Sequence, residues 1–114
     1  MLNFFQSTIK VDILILGNAD IQVRNNGRVI YEGSKEDCFD QLRRDMFNLQ
    51  GLSGRTVKIE LMALASASNP KLVADAKTYF KSKLGMLKSA TKVNLVVPSI
   101  LKVVPAIVGA GFQR

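Results

Sequence analysis

Between residues 8 and 16 the chain alternates Ile9, Val11, Ile13 and Ile15 with Lys10, Asp12, Leu14 and Leu16. A period of two carried by β-branched residues predicts a strand, whose second face turns apolar toward its end. Gly17-Asn18-Ala19-Asp20 supplies a turn. Residues 21–24 and 28–31 then flank Asn25-Asn26-Gly27. Asn-Gly suits the positive φ angles at both central positions of a type I′ turn, so this stretch predicts a β-hairpin. Alternation returns over residues 55–64, where Val57, Ile59 and Leu61 oppose Lys58, Glu60 and Met62. Val93, Leu95 and Val97 predict a last strand, ended by Pro98.

Two stretches follow the helical period instead. Gly33 breaks the hairpin, and Ser34-Lys35-Glu36-Asp37 resembles a capping box in which Asp37 stands where Glu is usual. Cys38, Phe39, Leu42, Met46 and Leu49 then recur as one buried stripe, with Gly51 as the stop. Asn69 as cap and Pro70 at the first helical position start a second helix that runs to about residue 89. Gly85 is a weak point inside it. Its apolar arc holds Leu72, Val73, Ala76, Tyr79, Phe80, Leu84 and Leu87, and Lys83, which falls within that arc, snorkels.

These elements predict an α+β two-layer sandwich. About five strands form a mixed or antiparallel sheet that includes an N-terminal β-hairpin unit, and two helices cover one face. The 114 residues make a single domain, residues 1–114, ending in an apolar C-terminal segment over residues 93–113. No internal repeat, linker or low-complexity stretch stands out.

Composition narrows the chemistry. Histidine is absent, which removes the commonest acid–base group near neutral pH and the commonest metal ligand. The single cysteine, Cys38, can form neither an internal disulfide nor a Cys-rich zinc site. It lies on the apolar face of the first helix and reads as buried packing. Glu36, Asp37, Asp40 and Asp45 are scattered by helix geometry and read as capping and solvation. No nucleophile is paired with a base, so no catalytic residue, metal or cofactor is expected. Net charge is +7. Residues 1–50 hold six Lys/Arg and seven Asp/Glu, a balance of −1, whereas residues 51–114 hold ten and two, a balance of +8. An acidic partner should meet the second half first.

Two features could carry binding. Lys77, Lys81 and Lys88 line up beside the apolar arc of the second helix, and Lys92 continues the row if the helix extends that far. Such a row could follow a nucleic-acid backbone or an anionic membrane surface. The ordinary reading is a solvated helix face, because no Arg or aromatic residue interleaves with the lysines to read bases. The second feature is the apolar ends. Leu2, Phe4 and Phe5 lie at the N-terminus, and Ile100, Leu101, Val104, Ile107 and Val108 lie in the C-terminal segment. A helix over residues 99–108 would spread apolar side chains around most of its circumference and need cover on nearly every side. Core packing, a subunit contact and peripheral membrane contact are the three readings. A membrane span is opposed by Lys102, Pro98 and Pro105.

Function is therefore expected to lie in surfaces. The leading expectation is a non-enzymatic structural or assembly protein, such as a subunit of a virion or another multimeric particle, with a protein partner or further copies of itself. A small basic nucleic-acid-binding or regulatory module is the alternative. The sequence shows no secretion signal, and the expected location is the cytoplasm or a virion.

Overall fold

The computed structural model describes residues 8–16, 20–48, 55–65, 69–90, 94–97 and 101–105. In chain order these form β1 (Thr8–Ile15), β2 (Ile21–Asn25), β3 (Arg28–Gly33), α1 (Lys35–Asn48), β4 (Thr56–Leu64), α2 (Pro70–Ala90), β5 (Asn94–Val96) and β6 (Lys102–Val104). The strands make one mixed sheet in the order β3-β2-β1-β4-β5, and β6 also pairs with β4. β1, β2 and β3 form an antiparallel meander, whereas β4 runs parallel to β1, β5 and β6.

Local chemistry explains where the elements begin. Asn26 and Gly27 take φ values of 53° and 87°, the two positive angles that the hairpin turn requires, and Asn25 pairs with Arg28 around them. The Ser34 hydroxyl accepts from the Asp37 amide at 3.1 Å and opens α1. The first-turn carboxylate of Glu36 is held below its usual range, chiefly by a backbone N–H and then by Lys35. Asn69 caps α2 in the same way, its Oδ1 accepting from the amides of Lys71 at 3.0 Å and Leu72 at 3.3 Å.

The core is one layer deep. Val11, Ile13 and Ile15 on β1, Ile21 and Val23 on β2, and Val57, Ile59, Leu61 and Ala63 on β4 point to the helices. Cys38, Phe39 and Leu42 of α1, with Ala76, Phe80, Leu84 and Leu87 of α2, close over them. Both helices therefore lie on the same face. Leu95 of β5 joins this core. The stripe positions Met46 and Leu49, and the stop at Gly51, fall outside the residues whose side chains are described.

The sequence pattern and the fold differ in the C-terminal segment. Residues 102–104, inside the stretch weighed above as a short helix, instead form β6, which pairs with residues 62–64 of β4. Extending this stretch lets the chain satisfy its backbone on the sheet edge, with the Ala65 amide donating to the Val104 carbonyl at 2.7 Å. β5 and β6 thus lie along the same side of β4, at its two ends, making a sheet of six strands among the described residues. The pairing of β1 with β4 adds a feature of its own. Their register sets Thr8 beside Thr56, Lys10 beside Lys58 and Asp12 beside Glu60. Two strands far apart in the chain carry the same Thr-x-Lys-x-acid pattern, aligned residue for residue.

Candidate functional site

Three surfaces carry chemistry that the core does not absorb. The first is the lysine flank of α2. This helix holds five lysines and one acid, Asp75. Tyr79 and Lys83 face α1: Tyr79 meets Phe39 edge-on at 6.3 Å, and the Lys83 and Lys35 ammonium groups each lie 5.6 Å from the Tyr79 ring centre. Burial raises the Tyr79 hydroxyl above its ordinary pKa, with smaller contributions from Glu36 and Asp40. Lys77, Lys81 and Lys88 fall within about 40° of one another on the opposite flank. Lys77 and Lys81 are half-buried and Lys88 is exposed. Lys77 borders a groove of about 390 Å³ with Val73, Leu101 and Val103, which places that end of the row beside β6. Lys92 lies outside the described residues.

The second surface is the outer edge made by β5 and β6. Val96 is 42% exposed and Val103 is 63% exposed, while no described strand pairs on their outer side. Of the apolar contact residues expected from sequence, Leu101 packs against the chain's own core and Val104 is half-buried. Val103, which was not among them, is the exposed apolar side chain of β6. Leu2, Phe4, Phe5, Ile100, Ile107 and Val108 lie outside the described residues. Among the described residues no helix is long and apolar enough to cross a membrane.

The third surface is the sheet face away from the helices, where polar strand positions that look isolated in sequence come together. Parallel register puts Lys10 against Lys58 and Asp12 against Glu60, and antiparallel register puts Arg24 on the other side of Asp12. Thr8, Thr56 and Asn94 form the next row, in which the Asn94 amide donates to the Thr56 hydroxyl at 3.3 Å. Lys10 and Lys58 are exposed and Glu60 is half-buried. Asp12 is only 8% exposed, and its Oδ1 is buried without a hydrogen-bond partner. Like charges directly side by side on neighbouring strands destabilise a sheet. This face carries two such pairs, one positive and one negative, and none of the four side chains makes an ion pair within the described residues. The repeated Thr-x-Lys-x-acid pattern was the sequence signal for this face. It becomes informative only once the two strands are known to be parallel neighbours in register.

A depression of about 530 Å³ lies between β3 and α1 with Cys38 on its wall among Glu32, Asp37 and Asp40. Burial pushes the Cys38 thiol up to about 11, and Asp37, Asp20 and Glu32 add to the rise. That environment opposes thiolate formation, the reverse of what a nucleophile needs. The Cys38 sulfur instead lies 3.6 Å from the Ile21 carbonyl. Three of the four acids of α1 have ordinary partners: Glu36 with Lys35, Asp40 with Arg43, and Asp45 accepting from the Tyr31 hydroxyl. Among the described residues no group of three or more Cys, Asp or Glu could hold a metal ion.

No protein-family model, curated protein or solved structure matches the chain, so a functional reading rests on its own residues and geometry.

Proposed function

We propose that the chain is a non-enzymatic structural or assembly subunit, of the kind found in a virion or another multimeric particle, and that a neighbouring subunit docks on its β5–β6 edge. The observation that carries this reading is the outer edge itself. Val96 and Val103 are exposed on strands whose outer side no described strand pairs, and a free edge offers unpaired N–H and C=O groups to another chain. The basic flank of α2 begins beside β6 at Lys77 and would present Lys77, Lys81 and Lys88 to an acidic partner surface. Replacing edge residues by lysine is a direct way to block strand addition. The Val96→Lys/Val103→Lys variant should therefore stay folded by circular dichroism yet lose about tenfold in association constant by light scattering. Association unchanged in a folded variant would remove the edge from the reading.

A second reading, a nucleic-acid-binding module, is favoured by the alignment of Lys77, Lys81 and Lys88 along about 17 Å of helix. If these three ammonium groups meet phosphates on a duplex, log affinity falls with log salt at a slope of about −2.7. Fluorescence anisotropy with a labelled duplex measures that slope. Lys77→Glu/Lys81→Glu/Lys88→Glu should abolish binding, and a salt-independent signal would dispose of this reading.

A further inference from the structure

Where α1 and α2 lie side by side they leave a groove of about 320 Å³, toward the lower end of the range for small-molecule sites. Buried Phe39 and Leu87 give it an apolar floor, and half-buried Tyr79 and exposed Met86 extend the apolar wall. The Phe39 and Tyr79 rings stand edge to face there, at 89° to one another. Arg43 and Lys83, both half-buried, supply the cationic rim.

The charges around this wall do not balance. Lys35, Arg43 and Lys83 surround it together with Glu36 and Asp40. Lys35 pairs with Glu36 at 3.2 Å, and Arg43 pairs with Asp40 at 3.7 Å. Lys83 makes no ion pair within the described residues, and its Nζ lies 5.6 Å from the Tyr79 ring centre. One positive charge is therefore left unmatched, held against an aromatic ring at the groove. The Arg43–Asp40 separation exceeds a hydrogen bond, so guanidinium N–H donors remain for a second carboxylate.

We infer that the α1–α2 groove binds a small aromatic monocarboxylate, with its ring on Phe39, Tyr79 and Met86 and its carboxylate between Lys83 and Arg43. Two aromatic rings and a thioether favour an aromatic body. One negative charge balances Lys83, whereas a second would face Asp40 with no cation left to offset it. The inference does not rest on the assembly reading. The groove lies on the α1 side of α2, whereas the Lys77 flank borders β6.

Naphthoate is a suitable probe, with naphthamide as the same body without the charge. A ligand of about a dozen non-hydrogen atoms in an open groove should bind with Kd about 1 mM. Heteronuclear NMR of the full-length protein should show naphthoate moving the amide signals of residues 39–43 and 79–87. Naphthamide should bind about tenfold more weakly, and added salt should weaken naphthoate alone. Lys83→Gln should cost naphthoate about tenfold and leave naphthamide within about twofold. Lys71→Gln, an equal charge change at an exposed position of the same helix, should leave both within about twofold. Met86→Glu sets a carboxylate at the lip on a side chain 62% exposed, so the fold tolerates it, and it should weaken naphthoate as Lys83→Gln does. Circular dichroism checks the fold of each variant. The inference is overturned by an absence of groove shifts up to about 10 mM naphthoate. Equal affinity for naphthoate and naphthamide overturns it as well, and so does a preference for naphthoate that survives Lys83→Gln or Met86→Glu in a folded chain.

Discussion

Replacing Phe80 by alanine should cost about 3–5 kcal/mol of folding stability, the range for removing a large buried aromatic side chain. Phe80 is fully buried on α2, in the same core as Ala76, Leu84 and Leu87 and the helix-facing residues of β1 and β4. Its ring also meets Tyr79 edge-on at 5.4 Å. The substitution loses transfer free energy and leaves a cavity that the rigid sheet below cannot fill. A domain of this size has about 5–15 kcal/mol in total, so the variant sits near the threshold of unfolding at ambient temperature. The contrasting substitution lies on the same helix. Met86 is 62% exposed, and Met86→Ala should change stability by less than about 0.5 kcal/mol. Urea unfolding of both variants checks the pair. Equal losses would mean that α2 does not bury the face assigned to it.

The thiol of Cys38 should be silent to labelling in the native state. Its pKa is raised to about 11 by burial first and by nearby carboxylates second. At pH 8 a thiol with that pKa is about 90-fold poorer in thiolate than one at the ordinary value of 9.0. Reaction with an aromatic disulfide reagent should therefore be at least that much slower than in urea-unfolded chain. The same shift makes stability depend on pH. Below about pH 9 folded and unfolded chains both hold the proton. Between about 9 and 11 the unfolded chain loses it first, so the folded chain binds more protons and stability falls as pH rises. Tyr79, also raised by burial, adds a fall of the same sign at the upper end. Urea midpoints between pH 8 and 10 should decline in the wild type and flatten in Cys38→Ala. Rapid native-state labelling at pH 8 would contradict the buried placement.

Much of the fold could be read locally because its boundaries are set by local chemistry. Asn26-Gly27 fixes the hairpin, while Ser34 and Asn69 supply hydroxyl and amide oxygens to the free amides that start each helix. Alternation over β1 and β4 separated the helix-facing side chains from the others, and the α2 pattern located Phe80, Leu84 and Leu87. What escaped local reading depends on partners distant in sequence. β6 has no periodicity of its own: Lys102, Val103 and Val104 are strand only because β4 offers them an edge. Whether the sheet was mixed or antiparallel was likewise open until β4 paired with β1. The lysine flank was legible because a helix brings positions four and seven apart together. The Lys10, Lys58, Asp12 and Glu60 quartet was not, since it arises from the register between two separate strands. The course of β6 also redirects the assembly question. Leu101 belongs to the chain's own core and β6 completes the edge of β4. Deleting residues 99–114 would therefore damage the fold as well as any interface, and point substitutions on the edge are the cleaner probe.

The central claim, that this chain works by holding copies or partners together, is tested most directly by native mass spectrometry of the intact protein across a concentration series at low salt. Species containing more than one copy are predicted to grow with concentration. They should recede when lysine replaces Val96 and Val103, while the charge distribution of the folded monomer stays unchanged. A chain found only as one copy throughout the series, with the edge variant indistinguishable from it, would contradict the self-assembly account.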